Sequence, residues 1–333
     1  MKLAELGEFG LIERLRRLVG RDPDGLLGIG DDCAAWSLPA DQQLLVTTDL
    51  LLEGTHFRRD WTDLYRLGRK AVAVNLSDIA AMGGTPGYLV IGLGLPSDMD
   101  LSDIDALLEG FVTAAAKGGV HLAGGDTCRA QQFLTIAVTA FGSVPLNRAV
   151  RRSTARPGDL LFVSGTLGDS ALALQLLEQG REPDPFLRQR HLDPVARVEL
   201  GSRLAASGMV SAMLDISDGL VADLDHLLGY QVSGALLNQV AIPLSKPFKE
   251  TLTDSTSQIE LALTGGEDYE LLFTAAARDR DEILRLAREI ELSVTPIGVL
   301  DNDRQGIWLE RPEGEIVAVA KRGFQHFSCD SGG

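Results

Sequence analysis

The segment QQLLVTTDLL, residues 42–51, is the starting point for predicting the fold of the first half of the chain. Its β-branched and apolar residues predict a β-strand, and that strand carries the polar triplet Thr47-Thr48-Asp49. The segment 63–83 has helical periodicity and ends at paired glycines, and 101–119 predicts a second helix capped at Ser102. Residues 133–144 predict a further strand. The first half therefore alternates strands and helices.

The second half continues in the same mixed style after the basic Pro-Gly turn in RRSTARPGD. Strands and helices follow in irregular order, which indicates an α+β fold with mixed sheets and packed helices rather than an alternating parallel sheet. We place the domain boundary near residues 146–156, giving domains 1–147 and 148–333. The predicted elements are a strand end running into a helix at 214–228, two apolar strands around Gly265-Gly266 at 260–276, a helix at 278–290, and strands at 294–300 and 307–320.

Composition excludes several classes of protein. The chain has 333 residues, 45% of them hydrophobic, and a formal net charge of −16, which disfavours nucleic acid and anionic membranes as partners. The N-terminal residues lack the pattern of a secretory signal, and the apolar segment 87–96 is too short to span a membrane. The three cysteines, Cys33, Cys128 and Cys329, are scattered without a C-x-x-C pair. We therefore expect a reducing, cytoplasmic location.

The segment GIGDDCAAW, residues 28–36, resembles a dinucleotide-binding loop only in part. Gly28 and Gly30 have the right spacing, but Cys33 stands where the third glycine belongs. Asp31 and Asp32 would also face the anionic pyrophosphate that such a loop binds. The carboxylates favour a metal-binding turn instead.

Aspartates recur beside glycine, serine or threonine in apolar surroundings, where we expect strand ends and turns. A single aspartate of this kind is usually a cap or a turn residue. A set of carboxylates without histidine or cysteine instead favours a hard divalent cation, and Mg²⁺ commonly binds together with substrate phosphates. The set is Asp31, Asp32, Asp49, Asp78, Asp126, Asp215 and Asp218.

Taken together, ten motifs resemble those of the thiamine-monophosphate kinase family. They cover nearly the whole chain in the expected order. They are GEFGLI at 7–12, GIGDDCA at 28–34, TTD at 47–49, GTHF at 54–57, AVNLSDIAAMGG at 73–84, GGDT at 124–127, RPGD at 156–159, SGTLGDSA at 164–171, DISDGL at 215–220 and GGEDYELLF at 265–273. The resemblance implies a two-domain aminoimidazole ribonucleotide synthetase-like (PurM-like) fold, a homodimer, and ATP-dependent phosphorylation of thiamine phosphate to thiamine diphosphate.

The resemblance also implies roles for individual residues. The implied ligands of several Mg²⁺ ions are Asp32, Thr47, Thr48, Asp49, Asp78, Asp126, Asp215 and Asp218. The implied contacts to ATP are Gly125, Asp126, Arg152 and Ser217, and the implied contacts to thiamine phosphate are His56 and Glu267. Because a phosphate monoester is already largely ionised at neutral pH, direct in-line transfer requires no general base.

Several residues keep a structural alternative. His56 is equally a surface or packed histidine, and Glu267 is equally a turn acid in a hairpin. The turn 165–170 either cradles phosphate or simply joins a strand to a helix. Near the C-terminus, Lys321 stands where some relatives carry a substrate-stacking aromatic, and Phe324 is the candidate replacement. Cys329 is taken as incidental.

Two other functions remain open from the sequence. A relative in the same superfamily would phosphorylate another acceptor, such as selenide or a carbamoyl group. A regulator would bind nucleotide or metal without catalysis. The chain lacks the early reactive cysteine segment and the cysteine-terminal tail that those relatives carry, which favours thiamine phosphate as the acceptor.

Overall fold

The computed structural model describes residues 3–30, 33–320 and 323, which divide into two compact units. The first unit comprises Met1–Ala149 and Leu192–Val198. The second comprises Val150–His191 and Glu199–Gly333. Residues 192–198 therefore belong structurally to the first unit although they lie in the second half of the sequence.

The first unit is a four-stranded sheet with helices packed on one face. The sheet has the order β1-β4-β2-β3, in which β1–β4 and β4–β2 are antiparallel and β2–β3 is parallel. Its elements are α1 (Leu3–Val19, interrupted at Gly7), β1 (Gln42–Leu52), α2 (Leu64–Ala81), β2 (Thr85–Pro96), α3 (Leu101–Lys117), β3 (His121–Ala130) and β4 (Thr135–Pro145).

The two central helices follow the sequence prediction closely. Asp63 caps α2 by accepting a hydrogen bond from the Arg66 amide (2.8 Å), and Gly83 ends the helix region with a left-handed φ of 72°. In α3 the N-cap position is held by Asp100 rather than Ser102, because Asp100 has the extended backbone and Ser102 already lies in the first turn. The Ser102 prediction is therefore wrong.

Alternation along β1 separates a covered face from an open one. Leu45 and Leu51 are buried, whereas Val46 and Leu50 keep more than half of their surface exposed (56% and 57%). Strand β4 alternates in register with β1, and its buried residues lie on the same face as Leu45. Helices thus cover only one face of this sheet.

The second unit contains a seven-stranded mixed sheet with the order β11-β10-β7-β9-β5-β8-β6. Only β10–β7 is parallel among its pairs. Its elements are β5 (Leu160–Ser164), α4 (Asp169–Glu178), α5 (Pro185–Leu192), α6 (Val198–Ser207), β6 (Val210–Asp215), α7 (Leu220–Asp225), β7 (Gly234–Asn238), α8 (Lys246–Thr251), α9 (Ser255–Thr264), β8 (Leu271–Ala275), α10 (Arg280–Glu289), β9 (Val294–Asp301), β10 (Gly306–Glu310) and β11 (Ile316–Ala318). The α+β class with mixed sheets is confirmed.

Two sequence predictions fail in detail. Residues 260–264 form the end of helix α9 rather than a strand. Asp254 caps the start of this helix by accepting from the Ser257 amide (2.7 Å), and Ala262 and Leu263 are buried on its inner face. Asp49 and Asp126 do not lie at strand ends. Each sits inside a continuous ladder, Asp49 opposite Val138 and Asp126 opposite Gly92.

Within the described residues, none of the helices has the length and apolar character needed to cross a membrane.

Candidate functional site

Strand β1 and helix α2 bring three of the candidate metal ligands together. The Thr47 hydroxyl donates to Asp78, and the Asp49 amide donates to the Asn75 side-chain oxygen (3.1 Å). Asn75 is fully buried and in turn donates to the carbonyl of Ala71 (3.0 Å), which fixes its orientation within α2. We call Thr47, Asp49 and Asp78 the β1–α2 carboxylate group.

The negative charge of the β1–α2 carboxylate group is unfavourable for the folded protein. Burial, and to a lesser extent the nearby Asp78 carboxylate, together raise the pKa of Asp49 to about 6. Both effects penalise the ionised carboxylate in the folded protein. A divalent cation between the two carboxylates would remove both penalties at once.

The oxygen donors of the β1–α2 carboxylate group are of the kind that Mg²⁺ prefers, although they do not surround an ion completely. Among residues 3–30, 33–320 and 323, no three His, Cys, Asp or Glu side chains are grouped to hold a metal ion. Mg²⁺ is commonly held by one or two carboxylates together with water and substrate phosphate. Asp49, Asp78 and the Thr47 hydroxyl match that smaller requirement.

Asp126 lies apart from this group. It is exposed on β3, at the edge of the sheet opposite β1, and three strand spacings separate the two edges by about 14 Å. Two ligands of one Mg²⁺ ion lie within about 4 Å of each other. By register, Thr48 pairs with Thr139 and Asp126 with Gly92, on the face opposite Asp49. One chain therefore does not bring Asp126 to the same ion as Asp49.

Gly125 next to Asp126 is required by packing. A Cβ atom at Gly125 would lie 2.2 Å from the carbonyl oxygen of Ile91 on β2. The following Thr127 has a buried hydroxyl with no hydrogen-bond partner. Any larger residue at position 125 would push β3 away from β2 and shift the Asp126 carboxylate.

In the second unit, two loops place the other candidates side by side. The Ser217 loop, residues 215–219, follows β6, and the Glu267 loop, residues 265–270, follows α9. The Glu267 amide donates to the carbonyl of Ser217 (2.8 Å), and a Cβ atom at Gly266 would lie 2.5 Å from that same oxygen. Asp215, Ser217, Asp218 and Glu267 thus belong to one structural cluster.

The Glu267 loop has a strained backbone rather than the hairpin turn that the sequence left open. Glu267 and Tyr269 both adopt positive φ angles, 64° and 51°, which non-glycine residues rarely adopt. The Glu267 carboxylate lies 3.3 Å from Nδ1 of the buried His191, whose ring nitrogen also contacts the Ser170 hydroxyl (3.0 Å). Several contacts therefore fix Glu267.

A buried ionic cluster supports these loops, and the sequence reasoning missed it. The Arg190 guanidinium contacts Glu270 (2.9 Å) and donates to the carbonyl of Asp268 (3.1 Å). Burial raises the pKa of Asp268 to about 7, and Asp268 accepts from the Gly168 amide (2.8 Å). The only sequence signal was that two further acids, Asp268 and Glu270, follow Glu267 in the motif GGEDYE.

Asp223 is a second residue that the sequence did not single out. Its carboxylate is buried and accepts hydrogen bonds from the amides of Ser217, Asp218 and Gly219. Burial raises the pKa of Asp223 to about 7. The motif DGLVADLD contains this residue, but the position resembles an ordinary acid in a short helix.

Three amides of the turn at residues 165–170 donate to other groups of the protein. The amide of Gly165 donates to the Ser293 carbonyl (2.9 Å), that of Leu167 to the Pro243 carbonyl (3.0 Å), and that of Gly168 to Asp268. These N–H groups are not available to a phosphate. The structure therefore favours the plain strand-to-helix turn over the phosphate cradle.

The remaining candidates occupy simpler environments. His56 is half-buried in the turn after β1, where its Nδ1 accepts from the Leu52 amide (3.1 Å), so that the neutral ring carries its proton on Nε2. Arg152 is exposed at the start of a 3₁₀ turn, Arg152–Thr154. Asp31, Asp32, Lys321, Phe324 and Cys329 lie outside the described residues.

Comparison with known proteins first defines the class. Residues 30–144 match the N-terminal domain of AIR synthase related protein, and residues 156–309 match its C-terminal domain. The chain is 38% identical over 330 residues to the thiamine-monophosphate kinase of Haemophilus influenzae, covering 97% of this chain and 98% of that protein.

Solved structures agree with this class. The crystal structure of thiamine-monophosphate kinase from Stenotrophomonas maltophilia K279a is 40% identical, with a TM-score of 0.83, and covers 95% of this chain and 98% of that one. The structure of AaThiL complexed with AMPPCP and TMP is 34% identical, with a TM-score of 0.76. The match covers 98% of this chain and 99% of that one.

The chain belongs to the thiamine-monophosphate kinase family. The family resemblance, the two-domain PurM-like fold and the kinase function expected from the motifs are confirmed.

The raised pKa of Asp49 predicts a pH-dependent stability in metal-free protein. Ionising Asp49 costs more free energy in the folded than in the unfolded state. The free energy of unfolding of the wild-type protein therefore falls as pH rises from about 4 through about 6. Asp49→Asn cannot ionise, so between pH 4 and pH 7 it should gain roughly 1–2 kcal/mol relative to wild type. Thermal unfolding in EDTA across this pH range measures the difference.

Asp98→Asn, at an exposed position after β2, is the control for a general effect of losing one acid. An Asp49→Asn variant whose stability falls with pH as steeply as that of wild type would contradict the electrostatic description of the β1–α2 carboxylate group.

Proposed function

We propose that this chain transfers the γ-phosphoryl group of ATP directly to the phosphate of thiamine monophosphate, with Mg²⁺ bound by its aspartates. The observation that carries the Mg²⁺ requirement is the β1–α2 carboxylate group, in which the Asp78 carboxylate accepts from the Thr47 hydroxyl and repels the charge of the nearby Asp49. The complex of AaThiL with AMPPCP and TMP supports a site in which a nucleotide and TMP bind together.

The proposed metal ligands fall into separate groups. Thr47, Asp49 and Asp78 form one group in the first unit, and Asp215 and Asp218 form another on the Ser217 loop. Asp126 and Thr48 lie on the opposite face of the first sheet from Asp49, which agrees with more than one ion. Asp32 completes the proposed set. Bound Mg²⁺ would neutralise phosphate charge and orient the reacting oxygens.

Four residues are proposed to contact ATP, each for a chemical reason. Arg152 is exposed and presents a planar guanidinium that suits phosphate oxygens. Gly125 lets the backbone approach closely, and its neighbour Asp126 is exposed for contact through a cation. Ser217 lies on a loop whose conformation is fixed by neighbouring hydrogen bonds.

His56, Glu267 and Phe324 are proposed to contact thiamine phosphate. With Nδ1 occupied by the Leu52 amide, the neutral His56 ring can offer an Nε2–H donor to a phosphate oxygen. The Glu267 carboxylate is a suitable acceptor for the amino group or cationic ring of thiamine. Phe324 is the aromatic available for stacking, given Lys321 at the position where some relatives carry an aromatic.

The chemistry requires positioning rather than a general base. The second pKa of a phosphate monoester is about 6, so the attacking oxygen is largely ionised at neutral pH. The chain must bring two polyanions together and stabilise the charge spread over a loose transition state. Residues that hold cations and donate hydrogen bonds perform both tasks. A cytoplasmic location, where ATP and Mg²⁺ are available, is part of the proposal.

The function is tested by ADP release with ATP and thiamine monophosphate, with and without Mg²⁺. We expect turnover only when all three are present. Asp49→Ala and Asp126→Ala should each lower turnover about 100-fold or more, because each removes a charged ligand needed in the transition state. Asp98→Ala, at an exposed position outside the proposed site, should retain wild-type turnover.

Circular dichroism and thermal melting check that each variant is folded. Wild-type protein that releases no ADP with thiamine monophosphate would exclude the proposed reaction. Near-wild-type turnover in folded Asp49→Ala and Asp126→Ala would exclude the metal assignment while leaving the reaction standing.

We also propose a homodimer formed through the open face of the first sheet. Leu44, Val46, Leu50 and Leu52 project from this face of the long edge strand β1. Trp36 extends the apolar surface by packing against Tyr88 and Phe141, with ring centroids 4.6 and 5.1 Å away. A long apolar edge strand left in water promotes association. A second copy with the same surface would cover it in a two-fold, self-complementary contact.

Val46→Glu should dissociate this dimer, since it places a charge in the middle of the apolar face. Val240→Glu is the matched control, because Val240 is 72% exposed and belongs to the second unit rather than to that sheet. Sedimentation at micromolar concentration should give a dimer for wild type and Val240→Glu, and a monomer for Val46→Glu. A dimeric Val46→Glu protein would place the contact elsewhere, and monomeric wild type would exclude the dimer.

A further inference from the structure

The Ser217 loop is held from inside by a single carboxylate oxygen. Asp223 Oδ2 accepts three consecutive backbone N–H groups, those of Ser217 (3.0 Å), Asp218 (3.0 Å) and Gly219 (3.1 Å). Asp223 lies in the short helix α7 that directly follows the loop, and only 4% of its surface is exposed. The loop therefore wraps around its own buried acid.

Three converging N–H groups form the kind of backbone concavity that usually binds an anion. Here the acceptor is a carboxylate oxygen of the chain itself, and in its ionised form it makes stronger hydrogen bonds than a neutral group does. The amides of Ser217, Asp218 and Gly219 are consequently not available to a phosphate. Ser217 can approach a nucleotide only through its hydroxyl or carbonyl, and Asp218 only through its carboxylate or carbonyl.

The outer side of the loop is also fixed. The Ser217 carbonyl accepts the Glu267 amide (2.8 Å), and a Cβ atom at Gly219 would lie 2.7 Å from the carbonyl oxygen of Thr264. Gly323 packs against the Asp218 carbonyl, which a Cβ atom there would approach to 2.9 Å. With neighbours on these sides, the conformation of the loop depends on Asp223 filling its interior.

We infer that Asp223 is a positioning residue for Mg²⁺-nucleotide binding, acting through Ser217 and Asp218 without touching the substrates. This inference rests on the proposed function, in which Ser217 contacts ATP and Asp218 binds Mg²⁺. The carboxylate fixes the loop so that the Ser217 hydroxyl and the Asp218 carboxylate are presented together. Loss of its charge loosens the loop at the nucleotide side of the site.

Asp223→Asn keeps the side-chain shape and one acceptor oxygen while removing the charge. Its KM for Mg·ATP and its Kd for Mg·AMPPCP by calorimetry should rise about 10- to 100-fold, the range found for residues that orient metal ligands. Its KM for thiamine monophosphate should change much less, because Glu267, the proposed contact to that substrate, keeps its separate contact to His191 (3.3 Å).

Asp301→Asn is the matched control. Asp301 also accepts two backbone N–H groups of the turn that follows it, those of Asp303 (3.0 Å) and Arg304 (3.1 Å), but that turn carries no proposed site residue. Asp301→Asn should remain folded and leave the KM for Mg·ATP unchanged. Equal nucleotide affinity in the two variants, or a parallel rise of both KM values in Asp223→Asn, would overturn the inference.

Amide hydrogen exchange of the wild-type protein tests the same point without a variant. The amides of residues 217–219 should be protected before nucleotide is added and unchanged by Mg·AMPPCP. Amides that exchange freely and become protected only with Mg·AMPPCP would mean that they bind phosphate, contrary to the inference. Wild-type turnover with thiamine monophosphate, measured alongside, separates failure of the proposed reaction from failure of this positioning role.

Discussion

The proposed chemistry of this protein depends on the repulsion between two neighbouring acids, Asp49 of β1 and Asp78 of α2. Burial and mutual repulsion make the ionised pair unfavourable in the folded chain. A structural acid in that position would be better replaced by a neutral residue. The pair is therefore best explained by a cation, and a site that collects cations can accept the phosphates of ATP and thiamine monophosphate despite the chain's net charge of −16.

Two acids of the second unit, Asp223 and Glu270, have hydrogen-bond donors of the protein as partners. Asp223 is surrounded by backbone N–H groups, and Glu270 contacts the buried guanidinium of Arg190. These acids maintain the shape of the Ser217 and Glu267 loops rather than meeting a ligand. The same residue type thus has two environments in one chain: Asp223 and Glu270 contact donors of the protein, whereas Asp49 is buried near a second carboxylate, that of Asp78.

Periodicity predicted α2, α3, α10 and strands β1 and β4, because their apolar spacing reflects a single covered face. It failed at residues 260–264, where the short apolar run fits a strand as well as the end of a helix capped by Asp254. Asp49 and Asp126 were expected at strand ends, since acids disfavour ladders, but ladder hydrogen bonds continue past both. Asp223 and Arg190 could not be found from sequence, because their roles depend on contacts between segments that local patterns do not encode.

The most direct measurement of the central claim is the number of Mn²⁺ ions bound per chain, counted by electron paramagnetic resonance in the presence of AMPPCP. Asp49→Asn should bind at least one ion fewer than wild type, or bind it about 10-fold more weakly, whereas Asp98→Asn should match wild type. Unchanged Mn²⁺ stoichiometry and affinity in Asp49→Asn would contradict the claim that the paired carboxylates of β1 and α2 bind a divalent cation.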